Sequence, residues 1–221
     1  MAVPPPRRRH AGSEAAREIA ERGRRANASS DDAALPRRAI VVIDKQSLRS
    51  RVRAARDVFV ASGPPAIAVP DQLRARFGHG ITVASYVPVG SEADPSPLAR
   101  AAVEAGCVLA LPHITNRRGP MRFLAWETEA ALVAGPFGLS QPAAHAIELR
   151  PDIILTPLVA FDARLERLGQ GAGYYDRAFE RFPDAWRIGV AWSIQQVDGL
   201  PTELWDVPLY AVVTEQGWIT R

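Results

Sequence analysis

The stretch 151–177, PDIILTPLVAFDARLERLGQGAGYYDR, constrains this chain more than any other. An apolar run, Ile153-Ile154-Leu155, leads through Pro157 and Asp162 into a glycine loop, Arg167-Leu168-Gly169-Gln170-Gly171-Ala172-Gly173. Tyr174-Tyr175-Asp176-Arg177 follow at once. Strand, glycine turn and helix start, in that order, are a recipe for an anion site. Glycine reaches positive φ freely and lets the backbone come close to a ligand. The N–H groups at the start of the next helix have no internal partner and point at whatever lies there. Arg167 and Arg177 add positive charge, and Asp176 adds a carboxylate able to hold a metal. The spacing is not that of the phosphate loop, because no Lys-Ser or Lys-Thr follows the last glycine. It does not complete the dinucleotide pattern G-x-G-x-x-G either. A tight turn with a helix cap is the plainer reading of the spacing. The density of Gly, Tyr, Asp and Arg argues for a site.

The rest of the chain supplies a frame for that loop. Its 221 residues, 47% of them hydrophobic, suit one soluble α/β domain with a tail. The first 38 residues hold nine arginines and five acidic residues without a sustained apolar face. Such a segment does not offset its ordering entropy, so residues 1–38 are expected to be a disordered basic tail and 39–221 the domain. The net charge of +3 belongs to that tail and leaves the remainder near neutral, which argues against a nucleic-acid face. No apolar run approaches a membrane span. The single cysteine, Cys107, excludes an internal disulfide and fits a reducing cytosol.

In chain order, Asp44 caps a helix expected to run to about Ala61, with Leu48, Val52, Ala55 and Phe59 as its apolar positions. The same helix carries Lys45, the only lysine, with Arg49, Arg51, Arg53 and Arg56. Lys45 and Arg49 lie four apart and share a face. That face reads either as solvated or as a phosphate clamp. A short helix is expected over 71–77, a strand over 81–87 ending in a loop with Glu92, a helix over 97–105, and strands over 107–111 and 121–126. A Gly/Pro connection over 133–142 precedes the central strand. A helix over 175–181 and strands over 187–192 and 209–214 close the pattern. Trp126 and Trp192 read as core. Strands alternating with helices predict a mostly parallel sheet covered on both faces, whose ligands bind at the carboxyl ends of its strands.

These residues resemble the 5-formyltetrahydrofolate cyclo-ligase (methenyltetrahydrofolate synthetase) family. The likeness spans about 44–214. It is most specific at Arg167-Leu168-Gly169-x-Gly171-x-Gly173-Tyr174-Tyr175-Asp176-Arg177 after Pro157 and Phe161-Asp162. Lys45-Gln46-Ser47-Leu48-Arg49 is similar to an amino-terminal K-x-x-L-R, and Tyr86 to Glu92 to a strand-then-glutamate segment. Leu200-Pro201 through Asp206-Val207-Pro208 to Glu215 is similar to the closing segment.

The resemblance implies a Rossmann-like fold akin to the ribose-5-phosphate isomerase and CoA-transferase group. It also implies ATP- and Mg²⁺-dependent conversion of 5-formyltetrahydrofolate to 5,10-methenyltetrahydrofolate. Lys45, Gln46, Ser47, Leu48 and Arg49, with Arg167 through Tyr175, would bind ATP. Arg49, Tyr86, Glu92 and Tyr174 would bind the folate, and Asp176 and Asp206 the Mg²⁺. Tyr174 and Arg167 would serve the chemistry. A monomeric cytoplasmic enzyme acting on small molecules, with no nucleic-acid or membrane partner, is the expectation. The pattern departs at Leu165, where glycine is usual, at Gln170 and Ala172 inside the loop, and at Trp205 and Tyr210. The changes at Leu165, Trp205 and Tyr210 motivate a rival: a paralogue that binds nucleotide without cyclising formylfolate.

Overall fold

A computed structural model of the protein describes Met1 and residues 44–128, 130–203 and 206–221. The expected tail over 1–38 and the departure at Trp205 lie outside the described residues.

The described chain begins as the capping residue demands. The Asp44 carboxylate accepts the Ser47 N–H at 2.9 Å and starts helix α1, Lys45–Ala61. Its buried face differs from the expectation in one place: Leu48 and Val52 are buried, Ala55 is exposed, and Arg56 is buried instead. The remaining helices are α2 (Asp71–Arg74), α3 (Ser96–Glu104) and α4 (Tyr174–Arg181).

Strands β1 (Thr82–Ala84), β2 (Val108–His113), β3 (Arg122–Ala125), β6 (Ile153–Pro157), β9 (Trp186–Val190), β11 (Ala211–Thr214) and β12 (Gly217–Ile219) form a seven-stranded sheet. Its order is β12-β11-β9-β6-β1-β2-β3. The five inner strands run parallel, and an antiparallel strand closes each edge.

The parallel strands are mostly apolar because both faces are covered. Successive side chains point to opposite faces. Ile153 and Leu155 therefore join Val83, Leu109, Ile188 and Val190 in one core, beneath Leu98 and Ala102 of α3. Ile154 joins Ala84, Ala110 and Val212 in the other, beneath Ala178 and Phe179 of α4. The expected mostly parallel sheet with helices on both faces is the observed one. Trp192 is buried and packs against Phe59 at 5.9 Å between ring centroids, and Trp126 packs against the same core, as expected. The chain winds from β1 towards β2 on one side and from β6 towards β9 and β11 on the other. The switch of direction falls between β1 and β6, where the crevice of such a sheet opens.

Three parts of the chain depart from the expected pattern, the first being β12, which follows the strand expected to close it. The 133–142 connection holds a two-stranded hairpin, β4 (Val133–Ala134) with β5 (Ser140–Gln141). The central strand also does not run straight into the glycine loop. After Pro157 a separate small sheet intervenes, in the order β10-β7-β8, made of β7 (Ala160–Asp162), β8 (Arg167–Leu168) and β10 (Gln196–Val197). Helix α1 docks on it through Leu48 and Val52 against Val159, Ala160 and Leu168.

The β7–β8 turn contains Leu165 at φ 61°, in the left-handed region, with its side chain fully buried. That conformation explains why glycine suits the position. A leucine there costs about 1–2 kcal/mol of backbone strain, offset by about 1.5–3 kcal/mol from burying its side chain.

Leu165→Gly is therefore expected to destabilise the fold despite relieving strain. Cavity formation costs about 2–5 kcal/mol and outweighs the relief, so a net loss of about 1–3 kcal/mol in urea unfolding is expected. Equal or greater stability of the glycine variant would show that the leucine packs poorly.

Candidate active site

A cleft of about 730 Å³ opens at the carboxyl ends of β1, β2 and β6, within the range of small-molecule sites. Tyr86, Val87 and Glu92 come from the segment after β1. Pro112 and Ile114 come from the end of β2 and just beyond it, and Pro157 from the end of β6. The whole run from Arg167 to Asp176 lines one side, and Lys45, Arg49, Arg53 and Arg56 of α1 line another.

The glycine loop takes its shape from two residues with positive φ, Gly171 at 103° and Gly173 at 68°. Gly173 stands at the start of α4, and no side chain caps the helix there. Arg49 donates from Nε to the Gly169 carbonyl at 2.9 Å. Its Cζ would lie 3.5 Å from a Cβ placed on Gly171, so the helix and the loop meet closely. Arg53 donates to the Gln170 amide oxygen. The Gln170 nitrogen in turn donates to Glu92 Oε1 at 2.8 Å, while Val89 N–H donates to Glu92 Oε2 at 3.0 Å. Gln170, one of the departures, thus bridges α1 to the expected folate carboxylate.

The acidic residues divide the cations into two groups. Lys45 Nζ contacts Glu203 Oε1 at 3.0 Å and Asp206 Oδ2 at 3.5 Å. Arg167 is paired with Asp176 and lies 4.8 Å above the Phe179 ring, with its Nε buried and without a partner among the described residues. Burial lowers the Arg167 pKa, and the negative charge of Asp176 opposes that shift. Among the described residues, Arg49, Arg53 and Arg56 have only neutral partners: a carbonyl, an amide and the Ser91 hydroxyl. A row of guanidiniums without carboxylates leaves positive potential for an anionic ligand.

The tyrosines hold the walls. Tyr86 lines the cleft, is buried, and donates its hydroxyl to the Ala93 carbonyl. Burial and the nearby Glu92 charge raise its pKa well above the ordinary value of 10.0. The Tyr175 phenol is raised by the same two causes. Tyr174 donates to the Asn116 carbonyl at 3.0 Å across the cleft, beneath the Arg177 guanidinium at 5.0 Å.

Of the residues expected from sequence, Lys45, Arg49, Tyr86, Glu92, Asp206 and all of 167–176 come together in this cleft. Gln46, Ser47 and Leu48 do not. Gln46 is exposed, Ser47 binds the Asp44 cap, and Leu48 is buried against the small sheet. On a helix, residues one and two places after Lys45 turn away from its face, and Leu48, three places on, is taken up by the small sheet. Sequence reasoning missed Arg53 and Arg56, whose spacing from Lys45 and Arg49 could have placed them. It also missed the apolar wall of Met121, Phe137 and Leu139, for which no motif gave a signal. The expected metal carboxylates, Asp176 and Asp206, face the same cleft but are each drawn to a cation. Among the described residues no three His, Cys, Asp or Glu side chains gather into a metal cage.

Asp162 lines no part of the cleft and yet organises it. Its buried carboxylate accepts N–H groups from Arg164, Glu166 and Leu200 at 2.9, 3.1 and 3.1 Å, and the Arg164 guanidinium at 3.0 Å. Burial raises its pKa, but Arg164 and the three N–H donors outweigh burial and leave it below the ordinary 3.8.

A parallel α/β sheet with a cation-lined cleft at its switch point defines the structural class. Comparison with known proteins narrows that class. The pattern of the 5-formyltetrahydrofolate cyclo-ligase family matches residues 41–215. The 5-formyltetrahydrofolate cyclo-ligase of Escherichia coli is 35% identical over 140 residues, which are 60% of this chain and 77% of that protein. The one from Mycolicibacterium smegmatis is 35% identical over 148 residues, 63% of this chain and 76% of its own. The solution structure of Aquifex aeolicus 5,10-methenyltetrahydrofolate synthetase superposes with a TM-score of 0.60 at 27% identity, over 80% of this chain and 92% of that one. The chain belongs to the 5-formyltetrahydrofolate cyclo-ligase family and is an enzyme of the cyclo-ligase class. Among the described residues no helix is long and apolar enough to cross a membrane.

The Asp162 interactions carry a pH dependence with a definite sign. A depressed carboxylate pKa contributes stability that is fully present above the unfolded value, 3.8 here, and is lost as pH falls through the folded value. Unfolding midpoints in urea are expected to drop more steeply below about pH 4 in the wild type than in Asp162→Asn. Parallel curves would remove Asp162 from this role.

Proposed function

We propose that this enzyme converts 5-formyltetrahydrofolate and ATP into 5,10-methenyltetrahydrofolate, ADP and phosphate, through the domain formed by residues 39–221. The observation that carries the reading is the contact between Arg49 and the glycine loop. A guanidinium with no carboxylate partner is held against Gly169 and Gly171, beside a helix start that no side chain caps. A polyphosphate suits that combination of a fixed cation and free backbone donors.

A formyl oxygen is a poor leaving group until it is phosphorylated. The γ-phosphoryl group of ATP passes to that oxygen and ADP departs. N10 of the folate then attacks the activated carbon, closing the ring. The C–O bond breaks, N10 loses its proton, and phosphate leaves. Phosphoryl transfer needs positioning and charge neutralisation more than covalent help. Arg49 and Lys45 neutralise the phosphates, and Lys45 exchanges Glu203 and Asp206 for the incoming anion. The buried Arg167, with its unpartnered Nε, faces the transferred charge. Tyr174 forms the wall beside the formyl group, and Glu92 accepts from the guanidine-like edge of the pterin.

The residues fit a magnesium ion of the kind that travels with a nucleotide, which takes one or two carboxylates and leaves its other positions to phosphates and water. Asp176 and Asp206 would hold it. Among the described residues one oxygen of each, Asp176 Oδ2 and Asp206 Oδ1, accepts no hydrogen bond. When bound, the ion supplies charge neutralisation on the polyphosphate. Of the departures behind the paralogue rival, Leu165 and Tyr210 are not among the residues that line the cleft, and Trp205 lies outside the described residues. Leu165 keeps the turn that glycine would make, and Tyr210 is exposed beside Trp186 and Arg187.

The direct test follows the methenyl chromophore with pure protein, formylfolate and ATP. ATP-dependent conversion is expected, and its absence from folded protein rejects the reading. Lys45→Ala is expected to raise the KM for ATP about tenfold with little change in kcat, as for one lost charge-assisted contact. Asp176→Asn is expected to lower kcat by about tenfold or more, most clearly at limiting Mg²⁺. Wild-type turnover by Asp176→Asn under those conditions would remove it from the site.

A further inference from the structure

Helix α1 presents Lys45, Arg49, Arg53 and Arg56 to the cleft, at intervals of four, four and three residues that keep them on one face. At 1.5 Å per residue, Arg56 lies about 16 Å along the helix from Lys45. The first three cations are engaged by the glycine loop or by the closing segment. Arg56 is not. Its residue is only 6% exposed, and its Nε donates to Ser91 Oγ at 2.9 Å. Its Nη1 is buried with no partner among the described residues. Ser91 is itself fixed, since its hydroxyl donates to Asp57 and its carbonyl accepts from Trp192 Nε1 at 3.1 Å. The guanidinium is thus anchored at one end in a cleft wall and left without an acceptor at the other among the described residues. A buried charged donor in that state is costly until an acceptor arrives.

We propose that Arg56 is a substrate-binding residue, its guanidinium donating to the 4-oxo oxygen of the pterin ring. The inference rests on the functional reading above and adds a recognition element to it. A pterin carries its 2-amino group, N3–H and O4 along one edge, two donors followed by an acceptor. A carboxylate beside a guanidinium is the complement of that edge. The cleft supplies the pair from neighbouring points: Glu92 follows directly on Ser91, the residue that holds Arg56. A site that buries an anchored donor also penalises any analogue whose matching atom is not an acceptor.

The test compares binding of 5-formyltetrahydrofolate with that of its 4-amino-4-deoxy analogue, by titration calorimetry on the full chain. The wild type is expected to bind the 4-oxo compound about 10- to 100-fold more tightly, as for one charge-assisted hydrogen bond. Arg56→Met is expected to lose affinity for the 4-oxo compound and to narrow the discrimination to what N3–H, present only in the 4-oxo form, contributes at Glu92, with ATP affinity unchanged. Arg56→Lys is expected to recover part of the lost affinity. Wild-type protein that binds both compounds equally would overturn the assignment without any variant. So would a loss in Arg56→Met that disappears with 5-formyltetrahydropteroate, because Arg56 would then read the glutamate tail. Wild-type protein that binds neither compound would overturn the functional reading, and this inference with it.

Discussion

The buried carboxylate of Asp162 joins two segments that face each other across the cleft. Its bonds to Arg164 and Glu166 shape the β7–β8 turn, which delivers Arg167 and the glycine loop. Its bond to Leu200 anchors the segment that carries Glu203 and Asp206. A buried carboxylate is tolerated only when its oxygens are satisfied, and here backbone donors and one guanidinium do so. Without that junction neither the loop nor the partners of Lys45 have a fixed place.

The cations of the cleft are held at two levels of commitment. Lys45 and Arg167 are neutralised by carboxylates, whereas Arg49, Arg53 and Arg56 are held by neutral acceptors that orient them and leave their charge uncompensated. Under the proposed reading, a polyphosphate replaces the carboxylate partners of Lys45 and adds to the contacts of Arg49. Gln170 links the nucleotide side to the folate side, because the same amide holds Arg53 and Glu92.

The departures from the family pattern become intelligible by position. Leu165 adopts the backbone conformation that glycine would, with its side chain in the core as compensation. Gln170 sits in a cleft where α1 supplies guanidiniums, and it accepts from one of them, Arg53. Tyr210 is part of an aromatic cluster with Trp186, under Arg187, on the flank of the sheet.

Local chemistry was enough to read much of this from the chain. The Asp44 cap, the alternation of apolar strands with helices, and the positive φ at Gly171 and Gly173 depend on residues close in sequence, so they announced α1, the parallel sheet and the loop. The β7–β8 hairpin was not legible. AFDARLERL shows no alternation, and its turn rests on a distant contact with Leu200. Which α1 residues enter the site was also undecided. The same basic face suits solvent or a clefted ligand until the small sheet buries Leu48 and Val52 and thereby rotates Lys45, Arg49, Arg53 and Arg56 inward. Sequence determined which charges were available, because helical spacing is local. Tertiary packing decided which of them are neutralised and which stay open, because the partners come from segments more than a hundred residues away for Lys45, Arg49 and Arg53.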